Sequence, residues 1–274
     1  MASRDSQVCW ICLESQRLLP GQLCACRGSV GAHLECLTKV AESKWASSGV
    51  VAWTHCPTCH QRYVGAARLG LAEALATRVL EDETGKFSVK DRLPVMDNLA
   101  GALHALGRYT EAEEIYVKLL ELCQDNFGPT SSNTMTCITN LGACMHAKGS
   151  YDEAAALHYE ALEICGAKLG MEHRYTLAAA NNLGSSFYAL HEYGQAIEIH
   201  KDVLETRRRL LGAHHPDTLA SVANLATSLH GHGEFEEATS LLFSASKVCE
   251  RELGAEHPDT LSVKHNLASI LQLQ

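Results

Sequence analysis

Residues able to bind metal are concentrated at one end of the chain. Seven of its twelve cysteines lie within the first 59 residues, spaced Cys9-x-x-Cys12, Cys24-x-Cys26, His33-x-x-Cys36 and Cys56-x-x-Cys59. Close pairs let one turn of chain present two ligand atoms to one ion, and thiolate with imidazole is a donor set for zinc. Seven thiolates and one imidazole make eight ligands, enough for two tetrahedral sites with none left over. Four protein ligands per ion leave no position open for water or substrate, so both zinc ions are expected to be structural, not hydrolytic. The segment has little else to fold with, and the metal is expected to make its fold. Cys123, Cys137, Cys144, Cys165 and Cys249 have no second pair at ligand spacing and read as small buried hydrophobes.

Composition narrows the function classes. The chain has 274 residues and a formal net charge of -9, which argues against a nucleic-acid partner. The acid lies mostly beyond residue 66, as a solvated scaffold would carry it. No run approaches the ~18 apolar residues of a membrane helix, so no membrane partner is expected. The start, Met1-Ala2-Ser3-Arg4-Asp5, is polar and unlike a signal peptide. Abundant cysteine in that setting points to a reducing compartment, the cytosol first and the nucleus second.

The elements beyond the cysteine-rich segment repeat. Asn-Leu followed by a small residue recurs at Asn98, Asn140, Asn182, Asn224 and Asn266, a period of 42 residues each time. Gly128, Gly170, Gly212 and Gly254 keep the same step, as do Ala112, Ala154, Ala196 and Ala238, and Tyr109, Tyr151, Tyr193 and Phe235. A fixed period of this length marks a stacked helical array. Each unit reads as two helices. The first starts near a Pro-Asp-Thr-Leu such as Pro216 or Pro258, and ends at Gly107, Gly149 or Gly233. The second starts at the aromatic column and ends before Leu-Gly. The small residues let the paired helices approach closely. His191 stands where the other units have glycine, which implies a local change in that turn. Residues 66–84 read as a joining helix. A final first helix closes the array as its cap.

These columns resemble tetratricopeptide repeats, of the 42-residue kind found in kinesin light chains. The resemblance implies a superhelix lined on its inner surface by the first helices. It places Asn98, Asn140, Asn182, Asn224 and Asn266 in a peptide-binding groove, where an amide can donate to and accept from an extended backbone. Six residues on, His104, His146, Tyr188 and His230 should also face that groove, as polar lining.

The cysteine-rich segment resembles the RING variant called RING-CH, on Cys9-Trp10-Ile11-Cys12-Leu13-Glu14, Gly28-Ser29-Val30, His33-Leu34-Glu35-Cys36-Leu37 and Cys56-Pro57-Thr58-Cys59. The resemblance implies interleaved sites. Cys9, Cys12, His33 and Cys36 would hold one zinc, and Cys24, Cys26, Cys56 and Cys59 the other. It also implies a ubiquitin-protein ligase: the domain recruits a ubiquitin-charged conjugating enzyme, with Ile11 and Pro57 at the contact. Such a ligase supplies positioning, not a nucleophile. Val40 stands where RING-CH domains commonly have tryptophan, and His60 where many active RING domains have Arg or Lys.

The expected fold is therefore mainly α, a tetratricopeptide-repeat superhelix preceded by a small two-zinc cross-braced RING-type domain. The expected domains are 1–64 for the zinc finger, 65–89 for a linking or capping helix, and 90–274 for four full repeats plus a terminal helix. The expected function is ubiquitin ligation, with a protein or peptide substrate held by the repeats. The alternative is a non-enzymatic interaction scaffold with an inactive RING-type or PHD-like zinc module.

Overall fold

The computed structural model describes residues 9, 11, 18–19, 32–81 and 86–272. Among them the chain forms α1 (Leu34–Ser43), α2 (Trp45–Ser48), α3 (Val51–Thr54), α4 (Gly65–Leu80), α5 (Val89–Ala105), α6 (Tyr109–Phe127) and α7 (Ser132–Lys148). It continues through α8 (Tyr151–Leu169), α9 (Arg174–Ala189), α10 (Tyr193–Leu211), α11 (Pro216–His232), α12 (Phe235–Leu253) and α13 (Pro258–Gln272). The fold is mainly α, as the repeats require. Contacts divide the chain into two units, Met1–Leu122 and Cys123–Gln274.

In the first unit α4 is the central element. Ala67, Leu71, Leu75 and Val79 recur every four residues and are buried, so they form one apolar stripe along the helix. That stripe shares a core with Leu37 and Ala41 of α1, Trp53 of α3, Tyr63, and Val95 of α5. Cys9 and Cys56 lie in the same core. Residues 32–63 thus have an apolar core besides any metal. Each large side chain buried this fully contributes about 1.5–3 kcal/mol. The sequence reading missed this core because Leu37, Ala41 and Trp53 sit on short helices that show no sustained period. α1 comes very close to α4: a Cβ added at Gly70 would lie 2.8 Å from the Leu34 methyls. Ahead of α5, Ser88 and Asp91 form a reciprocal capping box that meets donors the first turn cannot.

In the second unit successive helices pack antiparallel-fashion in pairs, and the first helices also touch in series, α7 on α9, α9 on α11 and α11 on α13. The helix ends fall where the glycine columns put them. α7 closes on Gly149 at φ 93° and α11 on Gly233 at φ 91°. Thr134, Thr176 and Thr260 are buried at one repeat column, and each donates its hydroxyl to the carbonyl of the glycine six residues earlier, at 2.8 Å. This bond fastens the starts of α7, α9 and α13 to the end of the second helix before each; the matching Thr218 hydroxyl of α11 is buried without it.

The change expected at His191 does not occur. His191 takes the left-handed conformation of the glycines, at φ 63°. Its amide donates to Tyr188 O at 3.0 Å and that of Glu192 to Phe187 O at 2.9 Å, the bonds Gly149 and Ser150 make one repeat earlier. The surrounding helices hold the turn, and the imidazole gains a 2.6 Å hydrogen bond between Nδ1 and the Tyr193 hydroxyl.

Candidate metal centre and repeat clefts

His33 is the N-cap of α1 and Cys36 lies in its first turn, so a three-residue spacing puts both on one face. Cys9 arrives from far earlier in the chain. The ligand atoms of Cys9, His33 and Cys36 all lie within 4.8 Å of one another. Cys36 Sγ is 3.7 Å from His33 Nδ1. Two ligands on a tetrahedral zinc, at about 2.0 and 2.3 Å from the ion, stand roughly 3.5–3.8 Å apart. The donor set and its spacing fit zinc. Cys12, expected to be the fourth ligand, lies outside the described residues, as do Cys24 and Cys26.

Cys56 and Cys59 flank a tight turn. Cys56 is buried and Cys59 half-buried. The Thr58 amide donates to Cys56 Sγ at 3.5 Å, which favours the thiolate. The His60 amide donates to Cys56 O, and the Cys56 amide to Gln61 O, both at 2.9 Å. His55 and Arg62 close the turn as an isolated antiparallel bridge. Burial first, then the charges of Arg62 and His60, hold the His55 imidazole below its usual range. Ile11 is half-buried against the shared core, and Pro57 is half-buried on the turn. His60 is exposed at φ 57°. Val40 is half-buried on α1, and Trp45 packs edge-on against Phe87 at 5.9 Å.

The repeat asparagines occupy one position of α5, α7, α9, α11 and α13, and all five are half-buried. Asn140 lines a cleft of about 340 Å³ with Met135, Thr139, Leu169, His173 and Tyr175. Asn224 lines one of about 310 Å³ with His146, Tyr188, Ser185 and Thr227. Asn266 lines a smaller one of about 130 Å³. The Asn224 amide already donates to Asn181 Oδ1 at 2.7 Å, which fixes its orientation. The histidine column does more than line the clefts. His104, His146 and His230 pack edge-on against Tyr109, Tyr151 and Phe235, with ring centres 5.3, 5.1 and 5.0 Å apart. Each such contact joins the end of a first helix to the start of its second.

A buried polar pair escaped the sequence reading. His158 Nδ1 lies 3.0 Å from Ser186 Oγ, and His200 Nδ1 lies 2.9 Å from Ser228 Oγ, one period on. All four side chains are buried. Burial, helped by the charge of His146, lowers the His158 pKa to about 4. Burial also lowers that of His200, against a backbone bond to Asn181 O that raises it. Both imidazoles are neutral at pH 7 and act as structural hydrogen-bonding groups.

The tetratricopeptide repeat model matches residues 91–167 and 175–242, more than half of the chain. The chain belongs to the tetratricopeptide repeat family. No curated protein matches the sequence. Among solved structures, a Podosopora anserina protein described as a kinesin light chain with nearly identical tetratricopeptide-like repeats is 26% identical, with a TM-score of 0.61. That match covers 66% of this chain and 86% of the other. BtubC (BKLC) from P. vanneervenii shares the fold at 21% identity and TM-score 0.57, over 75% and 79%. So does a Rap protein complexed with Competence and Sporulation Factor, at 12% identity and TM-score 0.54, over 88% and 63%. The array thus has kinesin-light-chain-like repeats among its structural neighbours. None of the helices among the described residues is long and apolar enough to cross a membrane.

Proposed function

We propose that this tetratricopeptide repeat protein is a ubiquitin ligase, in which a two-zinc RING-CH-type module recruits a charged conjugating enzyme and the repeats recruit the substrate. The repeat array is a protein-interaction scaffold. What supports the rest is one convergence: Cys9, His33 and Cys36 bring their ligand atoms within 4.8 Å of one another. In this reading Cys9, Cys12, His33 and Cys36 hold one zinc, and Cys24, Cys26, Cys56 and Cys59 the other. The ions hold the loops that carry Ile11 and Pro57, which touch the conjugating enzyme. A substrate lysine then attacks the thioester, and the ligase contributes orientation. A peptide segment of the substrate lies along Asn98, Asn140, Asn182, Asn224 and Asn266. The Rap protein, of the same fold, forms a complex with Competence and Sporulation Factor, so this scaffold can host a bound partner.

The deciding experiment is ubiquitin transfer by the zinc-loaded full chain against a panel of conjugating enzymes. Autoubiquitination lost in Cys36→Ser is the expected result. Protein that holds two zinc ions yet transfers ubiquitin with none of them would overturn the ligase reading. The exposed His60 beside the last ligand, where a cation would steady ubiquitin, favours the second reading in that event: an interaction scaffold with an inactive zinc module.

A further inference from the structure

We propose that Cys123 and Cys137 are a peroxide-sensitive dithiol, a modification site at which an intramolecular disulfide pins α7 to the end of α6. Their sulfurs are 3.3 Å apart, and both side chains are buried. The contact follows from the repeat register. Two periods later, the residues in the same two columns also meet: Arg207 Nη1 donates to Ser221 Oγ at 2.7 Å, again across fourteen residues. The architecture thus brings these columns together. In the other copies the pairs are Cys165 with Ala179 and Cys249 with Val263, each with a single thiol. Only at Cys123 and Cys137 does the register place two thiols in contact.

The chemistry needs hydrogen peroxide as oxidant. One thiolate attacks a peroxide oxygen and the O–O bond breaks, giving a sulfenic acid and hydroxide. The second thiol attacks that sulfur and expels its hydroxyl, which leaves as water. Two thiols lose two electrons, and the peroxide becomes two waters. Cys123 lies four residues before the end of α6, where local opening of the last turn admits the oxidant. Cys137 is three residues from Asn140, so the crosslink restrains the helix that carries a cleft asparagine.

The test exposes the zinc-loaded full chain to hydrogen peroxide and maps disulfides by mass spectrometry of a non-reducing digest. The expected product joins the Cys123 and Cys137 peptides and is about 2 Da lighter than the two reduced peptides together. It should be reversed by dithiothreitol and retained in Cys249→Ala. It should be lost in Cys137→Ala, which copies the residue of the next repeat. Circular dichroism confirms that each variant is folded. If Cys123 and Cys137 stay fully alkylatable after the protein's other thiols have oxidised, the proposal fails. It fails equally if Cys123 proceeds to sulfinic acid with no crosslinked peptide.

Discussion

A Cβ placed on Gly184 would lie 2.6 Å from Nε2 of His200, closer than any relaxed packing allows. Gly142 stands in the same relation to His158, at 2.7 Å. The two glycines and the two histidines occupy matching columns of adjacent repeats. Where the histidine column instead carries Leu242, the small residue is Ala226. The imidazole needs the space that the missing methyl leaves. Gly184→Ala is therefore expected to destabilise the protein by about 1–3 kcal/mol through overpacking. Adding His200→Leu should recover most of the loss, because the pair then copies Ala226 and Leu242. Denaturant melts of the single and double variants give the coupling, and simple additivity would refute the pairing.

The same burial makes the array acid-sensitive. His158 has its folded pKa lowered to about 4 from 6.5, so the unfolded chain binds its proton first as pH falls. Its contribution to stability is fully present above pH 6.5 and is lost progressively between 6.5 and about 4. The loss amounts to about 3 kcal/mol at the acid end. His200 shifts in the same direction and adds to the slope. The stability difference between wild type and His158→Leu, followed from pH 7 to pH 4.5, should shift in favour of the variant. A difference that does not vary with pH would show that His158 does not titrate on unfolding.

His191 carries left-handed backbone that the glycines of the other repeats adopt freely, at a cost of about 1–2 kcal/mol. Glycine would relieve this but restore flexibility to the unfolded chain and remove the bond to Tyr193. His191→Gly is expected to be neutral or stabilising by up to about 1 kcal/mol. Destabilisation beyond that in urea titration would mean that the His191–Tyr193 bond, not the helix packing, holds the turn.

Periodic features were legible without coordinates. The glycine columns end the helices as read, since a left-handed closing turn leaves a mark at every period. The closeness of His33 and Cys36 was legible for the same reason: their spacing is local. Relations between elements were not. His158 in a column shared with Tyr116 and Leu242 gives no hint that Ser186 stands opposite it. Cys137 read only as a small buried hydrophobe because its neighbour Cys123 belongs to another helix. Leu37, Ala41 and Trp53 gave no core signal in the sequence, because only the packing of α1 and α3 on α4 makes them core.

That core joins the candidate metal centre to the first repeat helix. His33 and Cys36 flank Leu34, whose methyls seat over Gly70 of α4, and α4 packs in turn on α5. If zinc holds His33 and Cys36, its loss removes what fixes Leu34 and Leu37 against Leu71 and Leu75. Chelation is therefore expected to raise amide exchange in residues 67–79 as well as 32–63, while α9 to α12 keep their protection. Cys36→Ser should act like the chelator. Hydrogen-exchange mass spectrometry of the full chain with and without EDTA reads all three regions at once. If residues 67–79 stay protected while 32–63 exchange freely, α4 belongs energetically to the repeats alone. The metal would then stabilise only its own loops.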